Sequence, residues 1–232
     1  STRMRSIGEK CGVFGIYGKG LNVSRLTYFG LYALQHRGQE SSGIASTDGA
    51  QIYCYKHSGL VTQVFNEEII RSLFGHCAIG HNRYSTSSGS DVKHAQPLEV
   101  ADRSMVLVHN GNLPTTRRLE QFLKKRGVVV RDDSDSKMIL AAIHCYTGAG
   151  VRVEKAVAEV FPLLEGSFSL LIMTKDKLVA VRDRYGIRPL SIGKLDKGYV
   201  FASETCAFHP IGATHIGDVQ PGELVVVDAK GM

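Results

Sequence analysis

The chain of 232 residues has no tryptophan, no apolar run near the ~18 residues that cross a bilayer, and no CxxC pair. Each absence closes off a class. Without a long apolar run there is no membrane span to assign. The opening residues STRMRSIGEK are charged and lack an apolar core, which excludes a secretory signal. Five cysteines (Cys11, Cys54, Cys77, Cys145 and Cys206) are odd in number and widely spaced, so neither a disulfide framework nor a zinc motif is encoded. A reducing, cytoplasmic setting is the expectation by elimination. Neither GxGxxG nor GxxxxGK[ST] occurs, so no phosphate cradle of those kinds is visible. No internal repeat, linker or low-complexity tract divides the chain.

The formal net charge is +6, from 28 basic and 22 acidic residues, but the basic residues are scattered rather than gathered in a stripe. Nucleic acid and membrane partners are therefore not expected. The densest basic run lies in TTRRLEQFLKKRG, whose Leu119, Phe122 and Leu123 recur at helical spacing. A solvated helix face explains those charges; an anion-facing or partner-facing surface is the alternative.

The 25 glycines, set against that lack of tryptophan, suggest many tight turns and several strands. Strands are predicted from Cys11 to Tyr17, on both sides of Asp48-Gly49, and in CAIGHNRYS, SMVLVHNG, SFSLLIMTKD, KLVAVRD, LSIGKLD, GYVFASE and PGELVVVDAKGM. Helices are predicted over Ser24 to Leu34, FNEEIIRSLF, Thr115 to Arg126, Ser136 to Tyr146 and Val153 to Leu164. Strands joined mostly by short turns favour two packed antiparallel sheets over a doubly wound parallel one.

Polar residues gather at predicted strand ends in four places: Cys11-Gly12, HNRYST (His81 to Thr86), HNGN (His109 to Asn112) and DDSDS (Asp132 to Ser136). Each has a plain structural explanation. Cys11 can be a core thiol, Asn110-Gly111 a hairpin turn, Asp133 or Ser134 a helix N-cap, and His81 with Arg83 a solvated strand end. Together they are chemically complementary. A thiol is a nucleophile, and an Asn carboxamide beside a glycine N–H forms an oxyanion hole. An arginine binds a carboxylate and an aspartate binds an ammonium. The ligand so described is an amino acid with a side-chain amide, such as glutamine. No histidine among the nine is marked out as the base. A free α-amine, with pKa near ~7.7–8.0, can serve instead, provided Cys11 becomes an N-terminus.

The segments CGVFGIYG, LYALQHRGQESSGIA, IGHNRYSTSSG, VHNGNL, DSDSKMI, GIRPLSIG and ASETCAF resemble the class II glutaminase domain of the amidophosphoribosyltransferases, from Cys11 to the last residue. The resemblance implies an α+β, four-layer αββα sandwich of the N-terminal nucleophile hydrolase type. It implies Cys11 as the catalytic cysteine, with its own α-amine as base after cleavage of residues 1–10. Asn110 and the Gly111 N–H become the oxyanion hole, Arg83 the carboxylate clamp, and Asp135 the partner of the α-amino group. Arg37 falls in a turn that frames the site. The implied reaction is hydrolysis of glutamine to glutamate and ammonia through a thioester. The ammonia passes to a phosphoribosyltransferase domain, where it displaces pyrophosphate from 5-phosphoribosyl-1-diphosphate to give phosphoribosylamine. Full-length members imply a homo-oligomer, magnesium and, in some, an iron–sulfur cluster; no cofactor is visible in this chain.

The domain expectation is thus a leader at 1–10, with 1–3 as a tag remnant before Met4, and a glutaminase domain at 11–232. The phosphoribosyltransferase domain is absent from the sequence, and the chain is expected to be a fragment of a two-domain enzyme. Two other functions remain open: an unprocessed, non-catalytic precursor that binds glutamine or a partner, and a related hydrolase acting on another amide.

Overall fold

The computed structural model describes residues 11–36, 38–84, 94–131 and 134–232. Two antiparallel sheets lie face to face. The larger contains β1 (Gly12–Tyr17), β2 (Gln39–Thr47), β3 (Ile52–Ser58), β4 (Cys77–Tyr84), β9 (Ser191–Leu195), β10 (Gly198–Ala202) and β11 (Thr214–Asp218), in the order β11-β9-β10-β1-β4-β2-β3. The smaller contains β5 (Leu98–Glu99), β6 (Met105–Thr115), β7 (Glu165–Thr174), β8 (Leu178–Arg182) and β12 (Leu224–Val227), ordered β12-β8-β7-β6-β5.

Period-two alternation sorts the apolar side chains into three layers. Along β1, Val13 and Tyr17 turn inward to meet Val106 and Val108 of β6 and Leu171 and Met173 of β7, forming the core between the sheets. Phe14 and Ile16 turn outward beneath Val23, Leu31 and Leu34, around helix α1 (Val23–Ala33). On the far side, Met105 and Leu107 of β6 and Phe168, Leu170 and Ile172 of β7 pack under α4 (Arg117–Lys125), α5 (Asp135–Thr147) and α6 (Val153–Val160). The expected αββα sandwich is present, with α2 (Val61–Val64) and α3 (Glu67–Ser72) joining α1 in the first helical layer.

The larger differences from the sequence reading are local. HNGN does not form a turn: β6 runs straight through it, with Asn110 opposite Ser169 and Gly111 opposite Phe168 on β7. As expected of Asp133 or Ser134, the helix that contains MILAAI is capped by Ser134, whose hydroxyl accepts from the Lys137 N–H. The basic residues of the α4 run, Arg117, Arg118, Lys124, Lys125 and Arg126, are all exposed as expected, with Arg126 lying over the Phe122 ring at 4.2 Å and Arg118 donating to the Pro162 carbonyl at 2.7 Å. Strands β5 and β11 and helix α2 carry too few residues, or too polar a pattern, to register as periodic segments.

Helix α1 approaches β1 closely because residue 30 is glycine. A Cβ there would meet three atoms of the Phe14 ring, the nearest at 2.3 Å. Gly30→Ala should gain up to ~1 kcal/mol of helix propensity and lose about 1–3 kcal/mol to overpacking against a fully buried ring. The net expectation is a lower urea midpoint with unchanged slope; a raised midpoint would show that α1 does not rest on Phe14.

Candidate active site

The start of β1, the end of β4, the later part of β6 and the first turn of α5 converge around a cleft of about 750 Å³. Its lining includes Cys11, Arg83, Gly111 and Asp135, with His81, His109, Gln96 and Ser136 deeper in the wall. Strand register does the assembling. Gly12 lies opposite Asn82 and Val13 opposite His81, which sets Cys11 beside the Arg83–Tyr84 end of β4. The Tyr84 N–H points at the Cys11 sulfur at 3.4 Å, and the thiol faces the Tyr84 carbonyl at 3.8 Å.

Burial is the largest influence on the Cys11 thiol and pushes its pKa up. The Tyr84 backbone pulls it down, as do Arg83 and Arg188 through their positive charge, and together they do not overcome burial. The thiol is therefore protonated near neutrality and requires a base. Burial therefore leaves this sulfur a thiol rather than a resting thiolate.

Behind the cleft lies a buried polar layer. His81 is only 1% exposed, so it does not solvate a strand end. Its Nε2–H donates to the His109 carbonyl at 3.1 Å, and burial pushes its pKa down to about 3. The His109 backbone N–H donates to Gln96 Oε1 at 2.7 Å, and its Nδ1 lies 2.9 Å from the Ser136 hydroxyl and 3.7 Å from Asp135 Oδ1. Burial lowers the His109 pKa, Asp135 opposes that and Arg188 reinforces it. Both rings are neutral supports: His109 ties the first turn of α5 to β6, and His81 ties β4 to β6.

Asp135 opens α5, and one carboxylate oxygen accepts the Ser136 N–H at 2.8 Å. Gly111 sits at φ +150°, and a Cβ there would meet the Ser167 carbonyl oxygen at 2.2 Å, so only glycine fits this stretch of strand. Asn110 lies one residue behind that lining, 4% exposed, with its carboxamide oxygen held by Arg188 Nη1 at 2.7 Å. Arg37 lies outside the described residues, as do residues 1–10, Ser85, Thr86, Asp132 and Asp133. Sequence reasoning did not single out Arg188, which lies 78 positions from its partner. Its signal was its place in GIRPLSIG, one of the resembling segments.

No three His, Cys, Asp or Glu side chains among the described residues are placed to hold a metal ion. The cysteines are dispersed, with Cys77 buried between the sheets and Cys206 exposed. These residues do not fit a magnesium or iron–sulfur site, and no step below runs through one. Among the described residues no helix is long and apolar enough to cross a membrane.

A family described as the glutamine amidotransferase domain matches residues 81–210, more than half of the chain. The chain belongs to that family. It is 44% identical to the amidophosphoribosyltransferase of Mycobacterium leprae over 97% of its own length, and 38% identical to that of Bacillus subtilis over 99%. A solved structure of the B. subtilis glutamine phosphoribosylpyrophosphate amidotransferase, complexed with ADP and GMP, superposes with a TM-score of 0.85 at 38% identity over 96% of this chain. The chain spans 42–48% of the length of these relatives. The matched residues include Arg83, Gly111 and Asp135, whereas Cys11 and strands β1 to β3 precede them.

The buried histidines make a pH prediction. The folded-state pKa of His81, about 3, lies below its unfolded value of ~6.5. Between those values the unfolded chain binds more protons. Stability from this site is therefore complete above pH ~6.5 and is lost as pH falls toward about 3. The urea midpoint should fall from pH 7 to pH 5, and the fall should be shallower in His81→Gln, which keeps an N–H donor without the titration. An equally steep fall in the variant would assign the acid sensitivity to other groups.

Proposed function

We propose that this glutamine amidotransferase domain hydrolyses glutamine to glutamate and ammonia, as the ammonia-producing part of an amidophosphoribosyltransferase. The observation that carries the reading is the convergence of Cys11, Arg83, Gly111 and Asp135 on one cleft from four separate elements. An amino-acid substrate needs a cation for its carboxylate and an anion for its ammonium, and Arg83 and Asp135 supply one of each. That pair favours a free amino acid over a general amide, and the family membership favours an enzyme over a binding module.

The proposed chemistry begins with hydrolysis of the Lys10–Cys11 peptide bond, which frees the α-amine of Cys11. That amine takes the thiol proton, and the sulfur attacks the side-chain carbonyl carbon of glutamine. Negative charge develops on the carbonyl oxygen, where the Gly111 N–H and the Asn110 carboxamide are the proposed donors. Collapse breaks the C–N bond, and the ammonium of Cys11 returns the proton to the departing nitrogen, releasing ammonia. The amine then deprotonates a water that attacks the thioester, giving glutamate and restoring the thiol. The two neutral histidines at the back of the cleft are poor bases for the first step, because burial lowers both.

In the relatives named amidophosphoribosyltransferase, the product of this step is proposed to feed a second domain. There the nitrogen replaces pyrophosphate on 5-phosphoribosyl-1-diphosphate, giving phosphoribosylamine for purine synthesis.

The test combines intact mass with a glutamate assay. A chain whose mass lacks residues 1–10 should release one glutamate per glutamine consumed, and Cys11→Ala should release none. Asp135→Asn keeps the acceptor for the Ser136 N–H but removes the charge, so KM for glutamine should rise by about 10- to 150-fold, the equivalent of ~1.5–3 kcal/mol. Absence of glutamate from a chain that begins at Cys11 sinks the proposal. An unchanged KM in Asp135→Asn would remove Asp135 from the pocket's recognition of the amine.

A further inference from the structure

The loop between β8 and β9 reaches Asn110, one residue behind the cleft lining, through the side chain of Arg188. Arg188 Nη1 donates to Asn110 Oδ1 at 2.7 Å across 78 positions of sequence. A carboxamide is nearly symmetric in shape, but its two ends are chemically opposite. Turned one way it offers two N–H donors to a developing oxyanion; turned the other way it offers a repelling oxygen. A guanidinium carries donors only, so a flipped Asn110 would set N–H against N–H and lose the bond. With Oδ1 committed to Arg188, Asn110 has only its Nδ2 hydrogens to give elsewhere.

The loop that carries Arg188 is itself tied down. Arg182 donates to three carbonyls: Arg188 at 2.7 Å, Gly186 at 2.6 Å and Val219 at 2.8 Å. Asp183, 1% exposed, accepts the N–H groups of Tyr185 and Gly186 through one oxygen, both at 3.0 Å. Its other oxygen accepts the Phe168 N–H at 3.0 Å, and Phe168 is the residue paired with Gly111. The same loop therefore braces both proposed oxyanion donors, the Asn110 carboxamide through Arg188 and the Gly111 strand through Asp183.

We propose that Arg188 is a positioning residue for the oxyanion hole, fixing the Asn110 carboxamide in its donor orientation, an inference that rests on the glutaminase reading above. Positive charge on Arg188 further polarises the carboxamide and strengthens its N–H groups as donors. Its contribution grows as charge develops on the substrate oxygen, so it acts on the transition state and not on ground-state binding.

The experiment uses the full chain, confirmed by mass to begin at Cys11. In Arg188→Leu, kcat for glutamate release should fall about 10- to 100-fold, somewhat less than deletion of a whole oxyanion donor, while KM changes less than about threefold. Arg188→Lys keeps the charge and one donor and should recover part of kcat. Added guanidinium should restore activity to Arg188→Ala but not to Asn110→Ala. The Arg188→Ala and Asn110→Ala losses should not multiply in the double variant, because both act through one donor. Thermal melts of each variant separate these effects from unfolding, and Arg188→Lys is the variant to rely on if Arg188→Leu melts early. Undiminished kcat, a loss carried by KM alone, or multiplicative losses would each overturn the role of Arg188. Wild-type chain that begins at Cys11 yet yields no glutamate would instead overturn the glutaminase reading.

Discussion

β1 is hydrogen-bonded on both edges, to β4 with Gly12 opposite Asn82 and to β10 with Phe14 opposite Ala202, and this pairing sets the position of everything at the cleft. A slip of one residue would send Val13 and Tyr17 out of the inter-sheet core and bring Phe14 and Ile16 into it. Such a slip is blocked by packing on both faces. Phe14 is clamped beneath Gly30 of α1, where no larger residue fits, and Val13 is closed over by β6 and β7. Because the register cannot move, Cys11 is delivered to the end of β4 with its sulfur against the Tyr84 backbone. The rigidity of an apolar core two residues away is what places the thiol.

The same sandwich imposes an electrostatic condition on the cleft. Burying His81 and His109 keeps them neutral, and each is held by hydrogen bonds that do not require a charge. Among the described residues, Arg83 and Asp135 line the cleft and Arg188 lies behind it on Asn110. The two arginines each favour negative charge on a nearby thiolate. At Cys11 they oppose burial without overcoming it.

The fold was largely legible because periodicity reports burial. β1 and β7 are built largely of buried residues, and α4 buries Leu119 and Leu123 of the three its spacing nominates, with Phe122 partly covered. HNGN misleads for a definite reason. Asn-Gly is the strongest short hairpin signal, yet here the glycine is needed because a Cβ would strike the neighbouring strand, and the chain continues extended. Four of the candidate residues, Cys11, Arg83, Gly111 and Asp135, were readable as chemical types and proved to share a cleft. Arg188 was not readable as a participant. Its partner lies across the sheet, and only the antiparallel pairing of β6 with β7 and of β7 with β8 brings residue 188 to residue 110. The buried state of His81 was likewise hidden, since a strand-end histidine in sequence carries no sign of what will cover it.

That burial bears on the question of the base. A general base for the thiol must sit close to the sulfur and have a pKa within reach of neutrality. His81 fails on the second count, at about 3, and its Nε2 proton is committed to the His109 carbonyl. His109 is lowered too, and its Nδ1 is engaged with Ser136. A free α-amine on Cys11 satisfies both conditions, being two bonds from the Cβ that bears the sulfur and titrating near ~7.7–8.0 when unperturbed. In the sequence as written that nitrogen is an amide joined to Lys10, with no basicity to offer. On the proposed reading, breaking that one peptide bond would turn the amide into an amine two bonds from the Cβ that bears the sulfur.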